Sequence, residues 1–132
     1  MTVDLGTGTG AGGDAQGDTL SEIEDVLGSA GDDSLTGDGS DNRLVGNGGA
    51  DTLIGAGGAV TLEGGAGNDI LRGGAGADSL DGGTDTDTAD YSGSASAVNV
   101  NLGAGLTSGG DAAGDTLTSI ENRAGSDNDD VL

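Results

Sequence analysis

A strict nine-residue period runs through the middle of this sequence and limits what the chain can fold into. From Gly28 the sequence divides without a slip into GSAGDDSLT, GDGSDNRLV, GNGGADTLI, GAGGAVTLE, GGAGNDILR, GGAGADSLD and GGTDTDTAD. Position one is Gly in every unit, and position eight is Leu in all but the last, where it is Ala89. Self-similarity at a short fixed period is typical of solenoid proteins, in which each repeat packs only against its neighbours.

Composition without the period would favour disorder. The chain has 132 residues, of which 31 are Gly, and its 24 Asp+Glu against 3 Lys+Arg give a net charge of −21. Tyr91 is the only aromatic residue. High charge with few aromatic residues is typical of chains that stay unfolded. Leucines at a strict spacing of nine are not a product of composition, so we predict a folded chain, while unfolding without a ligand stays open.

The same composition excludes several classes of function. The absence of Cys and His removes disulfides, zinc sites, imidazole bases and thiol nucleophiles. With no Lys and three scattered Arg there is no basic surface for nucleic acid or anionic lipid, and no apolar stretch is long enough to span a bilayer. No signal peptide is visible after Met1. The ligands that remain are carboxylate and backbone oxygens, which hard cations such as calcium select.

Each nonapeptide predicts a turn followed by a short strand. The first six residues are rich in Gly, and the last three alternate so that only the middle side chain faces inward. Two units, or 18 residues, would then close one coil, with parallel strands stacked about 4.8 Å apart and leucines lining a thin core. Such a coil also stacks the position-six carboxylates, which repel by about 1 kcal/mol per pair in water. A divalent cation would reverse the sign of that interaction.

The units resemble the GGxGxDxUx nonapeptide of RTX (repeats-in-toxin) proteins, a haemolysin-type calcium-binding repeat in which U is a large apolar residue. The best matches are GGAGNDILR from Gly64 and GGAGADSLD from Gly73. The resemblance implies an all-β fold, a right-handed parallel β-roll (a β-solenoid) of about 18 residues per coil with calcium in the turns. Each ion would lie between turns two units apart.

The resemblance also implies the ligands of each ion. One turn would give the carbonyls of positions two and four, the other those of positions one and three, and both would give the position-six carboxylate. The first site would use Ser29, Gly31 and Asp33 with Gly46, Gly48 and Asp51. The second would use Asn47, Gly49 and Asp51 with Gly64, Ala66 and Asp69. The third would use Gly65, Gly67 and Asp69 with Gly82, Thr84 and Asp87.

The units sort into two stacks of turns, which we call the first edge and the second edge. Position six of the first edge is Asp in every unit, namely Asp33, Asp51, Asp69 and Asp87, whereas the second edge carries Asn42, Val60 and Asp78. We therefore expect ions along the first edge and weak or empty sites along the second, with Asp78 its one carboxylate ligand. The alternative for a position-six Asp is a turn cap.

Other charged residues carry weaker expectations. Position-five acids, Asp32 and Asp41, are expected to face solvent, and Arg43 and Arg72 to offset local negative charge.

The two ends of the chain repeat each other. Residues 1–35 align with 98–132 at a constant offset, with 19 identical positions by direct count of the two segments. We expect residues 1–27 to form a partial flanking coil of a longer repeat, 28–90 the nonapeptide roll, and 91–132 a flanking coil that starts the next repeat. Tyr91 would cover the end of the core, and we expect four acids of the flanks in solvated loops: Asp14, Asp18, Asp111 and Asp115.

The function implied by the resemblance is a calcium-binding module that folds on binding extracellular calcium. It would be a repeat segment of a larger secreted or cell-surface bacterial protein exported by type I secretion. Its partners would be calcium ions and neighbouring repeats of the parent chain. Enzymes of the family keep their activity in separate domains, so we expect no catalysis. The alternative is an adhesive module that bridges acidic polysaccharide or other repeats through calcium.

Overall fold

The computed structural model describes all residues, 1–132, and consists mainly of short strands. The strands are β1 (Thr2–Asp4), β2 (Thr9–Ala11), β3 (Asp25–Leu27), β4 (Ser34–Thr36), β5 (Arg43–Gly48), β6 (Thr52–Ile54), β7 (Thr61–Ala66), β8 (Ile70–Arg72), β9 (Ser79–Thr84), β10 (Thr88–Asp90), β11 (Asn99–Asn101), β12 (Leu106–Ser108), β13 (Thr116–Thr118) and β14 (Asn122–Ala124). Two single 3-10 turns, Gly13–Ala15 and Gly110–Ala112, are the only helical segments. No helix of the structure has the length and apolar character needed to cross a membrane.

Two stacked sheets form the body of the molecule. The order of the first is β14-β10-β8-β6-β4-β1-β2 and that of the second is β13-β9-β7-β5-β3, while β11 and β12 form a separate hairpin. Within the nonapeptide region every pairing is parallel and joins residues one coil apart, as Leu35 pairs with Leu53 and Leu44 with Leu62. The expected parallel β-roll of about 18 residues per coil is confirmed.

The second sheet differs from the expectation of three-residue strands. β5, β7 and β9 each run for six residues, because positions two and three of the first-edge turns also pair from coil to coil. Asn47 pairs with Gly65, and Gly65 with Gly83. All three residues have a positive φ, between 74° and 113°, so successive turns have the same shape and their backbones stack. At the second edge Asp38 Oδ1 accepts a hydrogen bond from the Ser40 N–H within the same turn. A single isolated β-bridge, between Gly57 and Ala75, joins successive turns there.

A thin core lies between the sheets. The six position-eight leucines are at most 1% exposed, and Val26 and Val3 extend their two rows toward the N-terminal end. Side chains at the flanking positions of the same strands remain partly exposed, as the alternation of a strand requires. The apolar core is therefore one leucine deep per coil on each side.

The flanks extend the two sheets at both ends. β1 and β3 pair with β4 and β5 at one end, and β13 and β14 pair with β9 and β10 at the other. Tyr91 is buried in the core, in agreement with the expectation that it covers the end of the leucine rows.

The expectation of a solvated loop was wrong for Asp115. This carboxylate is 5% exposed, and it accepts hydrogen bonds from the Tyr91 hydroxyl at 2.8 Å and from the Asp78 N–H at 3.0 Å. Asp14 and Asp18 are exposed, and Asp111 is half-buried.

Two adjacent residues of β8 test the role of the core. Leu71 is fully buried and Ile70 is 43% exposed, although each loses three carbon atoms when it is replaced by Ala. We expect Leu71→Ala to lower the free energy of unfolding by about 2–5 kcal/mol, because it leaves a cavity in a one-layer core. Ile70→Ala should change it by less than about 1 kcal/mol. Unfolding of the folded chain by a chemical denaturant measures both values. Equal losses for the two variants would contradict this description of the core.

Candidate metal centre

The position-six side chains of the first edge point into the roll. Asp33, Asp51, Asp69 and Asp87 are at most 5% exposed, although each follows a glycine-rich turn on the surface. The strand that begins at position seven sets this direction, because its inward leucine and the position-six side chain lie on the same face two residues apart. Four carboxylates are thus buried in one row with the spacing of the coils.

One oxygen of each carboxylate after Asp33 accepts a hydrogen bond from the backbone of the coil before it. The N–H groups of Asp33, Asp51 and Asp69 donate at 2.8 Å to Oδ1 of the position-six Asp in the next coil. The last N–H of the row, that of Asp87, donates at 2.9 Å to Glu121 Oε2. Coils are therefore joined by a continuous ladder of charge-assisted hydrogen bonds.

The other oxygen has no hydrogen-bond partner. Oδ2 of Asp51, Asp69 and Asp87 is buried and unpaired, although buried polar atoms in proteins are almost always paired. Asp33 differs, since Ser29 donates to its Oδ2 and the Met1 amino group donates to its Oδ1. Three carboxylate oxygens of the first edge thus lack a donor or a cation.

The position-one glycines explain where these oxygens point. A Cβ at Gly46 would lie 2.1 Å from Asp51 Oδ2 and 2.6 Å from the carbonyl oxygen of Gly64. At Gly64 the same distances are 2.3 Å to Asp69 Oδ2 and 2.6 Å to the Gly82 carbonyl. Any side chain at position one would therefore occupy the space that the carboxylate oxygen shares with a carbonyl of the next coil.

Backbone carbonyls of successive turns also face one another. The carbonyl oxygens of Asn47 and Gly49 point toward the next coil, where they lie 2.2 Å and 2.1 Å from the positions a Cβ would take at Gly65 and Gly67. The Ala66 carbonyl points back and accepts from the Gly49 N–H at 2.9 Å. Both turns of the second predicted site thus direct oxygens into the gap between them.

The third predicted site shows the same arrangement more loosely. The Gly65 carbonyl oxygen lies 2.1 Å from the Cβ position of Gly83, and the Thr84 carbonyl accepts from the Gly67 N–H at 3.4 Å.

In the first predicted site the Gly31 carbonyl accepts from the Ser29 hydroxyl at 3.2 Å. The carbonyl oxygen of Gly46 and Asp33 Oδ2 both lie close to the Cβ position of Gly28. No contact of the Gly48 carbonyl distinguishes it as a ligand.

Burial has a marked effect on the ionisation of these groups. It raises the pKa of Asp69 to about 6 and raises the pKa values of Asp51 and Asp87, with repulsion between carboxylates adding to the effect. For Asp33, hydrogen bonds from the Met1 amino group and Ser29 outweigh burial and lower the pKa. The ordinary pKa of an aspartate is 3.8, and that of Asp69 in the fold is about 6. Without a cation, the free energy of unfolding therefore falls as the pH rises from 3.8 through about 6, because Asp69 loses its proton less readily in the folded chain.

The second edge lacks such a row. Val60 is 2% exposed and belongs to the apolar core, and its methyl group lies 2.6 Å from the Cβ position of Gly55, where a carboxylate oxygen lies on the first edge. Asp78 keeps the ladder bond, accepting from the Val60 N–H at 3.1 Å, and its Oδ2 is buried and unpaired. Burial raises the pKa of Asp78 as well.

A second set of contacts between coils lies on the surface and was not expected from the sequence. Asp32 and Asp41 are exposed as expected, but their Oδ1 atoms accept from the N–H groups of Ala50 and Ala59 in the next coil, at 2.8 Å and 2.7 Å. Asn68 does the same for Thr86 at 3.0 Å. The sequence shows that these position-five residues can all accept a hydrogen bond. It does not show that the donor is the N–H of the next coil.

The two arginines form ion pairs at the surface. Arg43 pairs with Glu63 at 2.8 Å, and Arg72 pairs with Asp90. These contacts match the expectation that the arginines offset local negative charge.

The donor set of the first edge fits calcium. Calcium takes six to eight oxygen ligands, and these include carboxylates and backbone carbonyls. The gap between two turns offers unpaired carboxylate oxygens, carbonyls from both sides and no side chain at position one to block it. No group of three or more acidic side chains converges at one point, so a cation there would need backbone carbonyls in addition to the two carboxylates.

Comparison with known proteins points to the same chemistry. Residues 27–62 and 61–89 match the family profile of the RTX calcium-binding nonapeptide repeat, in four copies. Neither the curated proteins nor the solved structures gave a match. Repeats of this kind are structural calcium-binding modules, generally without enzymatic activity. Residues 27–89 of the chain, the segment that forms the β-roll, therefore belong to the RTX calcium-binding nonapeptide repeat family.

Proposed function

We propose that the chain is a calcium-binding module that folds when it binds extracellular calcium, and that it is a repeat segment of a larger secreted or cell-surface bacterial protein. The observation that carries this proposal is the row of buried, unpaired Oδ2 atoms of Asp51, Asp69 and Asp87. Buried ionised carboxylates without partners destabilise a fold strongly. A divalent cation between them removes that penalty and replaces repulsion with attraction.

The proposed ligands are those of the three first-edge sites. Each ion would take two position-six carboxylates and carbonyls from two successive turns, which gives six ligand residues and lies within the range that calcium accepts. Asp51 would serve the first and second sites, and Asp69 the second and third. Because neighbouring ions share a carboxylate, binding of one orders a ligand of the next, and we expect binding to be cooperative.

Calcium would act as a switch for folding. An ion that binds only the folded chain stabilises it by RT ln(1 + [L]/Kd) per site, so several linked sites give a steep dependence on concentration. A net charge of −21 keeps the chain extended where calcium is scarce. Export in the unfolded state through type I secretion, followed by folding outside the cell, agrees with this behaviour. Adhesion to acidic polysaccharide through calcium stays a prediction.

Replacement of the shared carboxylate tests the proposed ligands. We expect Asp69→Asn to remove calcium from two sites, because the second and third sites both use this side chain. Asp32→Asn is the matched control, since it removes the same charge from the same edge but at an exposed residue that only accepts from the Ala50 N–H. Isothermal titration calorimetry gives the number of bound ions. Equal ion counts for the two variants would refute the ligand assignment.

The second edge offers a test by gain of function. Val60→Asp would put a carboxylate in the place of a buried methyl group, one coil from Asn42 on one side and from Asp78 on the other. We expect this variant to bind more calcium than the unsubstituted chain and to be less stable than it in chelator, because a new charge is buried. Val60→Asn, which adds oxygen without charge, is the control. Ions found in equal number on both edges of the unsubstituted chain, by anomalous scattering from crystals, would contradict the proposal.

A further inference from the structure

The two flanks of the chain fold alike. The hairpins β1·β2 and β11·β12 have the same register after the offset of the sequence repeat, with Val3 opposite Gly10 and Val100 opposite Thr107. A single 3-10 turn follows each hairpin. Equivalent residues of the two flanks can therefore be compared directly.

The C-terminal flank closes the end of the roll with three acceptor contacts. Asp115 accepts from the Asp78 N–H and the Tyr91 hydroxyl, and Glu121 accepts from the Asp87 N–H. Asp78 and Asp87 hold position six in the last coil, one on each edge. The two acids thus end both ladders by taking the N–H groups that no further coil is there to bind.

The N-terminal flank carries the same two acids, but their carboxylates accept no hydrogen bond. Asp18 and Glu24 are the equivalents of Asp115 and Glu121, and both are exposed. Asp18 lines an open pocket of about 300 Å³, which is mostly apolar. Its apolar lining includes Val3, Ala15, Leu20, Val26 and Leu27. In the C-terminal flank the equivalent of Ala15, Ala112, is fully buried in the core with Tyr91.

Backbone hydrogen bonds show that the edge of β3 facing this pocket is free. The Glu24 carbonyl and the Gly28 N–H bond to β5, so Asp25 and Leu27 direct their polar groups the other way, as alternate residues of a strand do. In β14 their equivalents, Asn122 and Ala124, make the bonds to Asp87 and Tyr91 at the end of the roll. The free edge of β3 is therefore the edge that β14 uses.

We infer that the pocket and the free edge of β3 form a docking site for the C-terminal end of another nonapeptide roll of this sequence, the part equivalent to residues 78–91. Asp18 would accept from the Tyr91 hydroxyl and the Asp78 N–H of the docked roll, and Glu24 from its Asp87 N–H. Strand β3 would then pair with β10 of the docked roll on one side and with β5 of its own roll on the other. The first sheet of one roll would thereby continue into the second sheet of the next. Tandem units would stack as one unbroken solenoid.

An extended chain, with residues 1–97 added before Met1, tests the inference because it contains one free and one internal copy of the pocket. In calcium, Asp18→Ala in the internal copy should lower the melting temperature of the extended chain, as Asp115→Ala lowers that of the 132-residue chain. The same substitution in the free copy should leave it unchanged. Glu22→Ala in the internal copy is the control for charge, since Glu22 is exposed and does not line the pocket. Equal effects in both copies, or none in either, would overturn the docking site.

A double-mutant cycle covers the case in which a variant loses too much stability to compare. Tyr91→Phe in the first unit removes only the hydroxyl and keeps the ring in the core. Its effect on the melting temperature should disappear when the internal Asp18 is already Ala, because the two groups form one hydrogen bond. Strictly additive effects would mean that the first roll does not dock on the pocket of the second.

Discussion

The structure depends on a buried row of four carboxylates, three of which have a hydrogen-bond partner for only one of their two oxygens. Oδ1 of every first-edge aspartate after Asp33 binds the N–H of the preceding coil, while Oδ2 of Asp51, Asp69 and Asp87 has no partner. The hydrogen bond to Oδ1 fixes the coil spacing and makes the carboxylate necessary. The unpaired Oδ2 makes the fold unfavourable without a metal ion. A row of this kind builds the solenoid, and in the proposed function it links the stability of the fold to calcium.

The other regular features of the repeat follow from this row. Position one is Gly because the carboxylate and a carbonyl of the next coil fill the space of its Cβ. Position eight is Leu because a coil of two short strands leaves room for one inward apolar side chain on each side. Val60 shows that the two features are separable, since on the second edge a methyl group takes the place of the oxygen without disturbing the coil. Core packing is thus common to both edges, whereas the unbroken row of buried carboxylates is found on the first edge alone.

The period of the sequence was enough to predict the coil length, the leucine core and the two edges, because each follows from spacing alone. It did not predict that β5, β7 and β9 extend into the first-edge turns, since this depends on Asn47, Gly65 and Gly83 sharing one unusual backbone conformation. Nor did it predict the burial of Asp115, which requires knowing that the flank folds back onto Asp78 and Tyr91. Local periodicity determines repeated contacts, whereas contacts made once, at the ends, depend on how the flank folds.

Far-ultraviolet circular dichroism of the chain during a calcium titration, from chelator to about 10 mM, tests the central claim most directly, with magnesium as the control. Magnesium demands shorter bonds and near-octahedral geometry, and it loses its water reluctantly, so it should not replace calcium between two turns. The account predicts a cooperative change from coil to β structure with calcium alone. A β spectrum that persists unchanged in chelator would show that the leucine core and the flanks suffice to fold the chain, and that the aspartates serve only as turn caps.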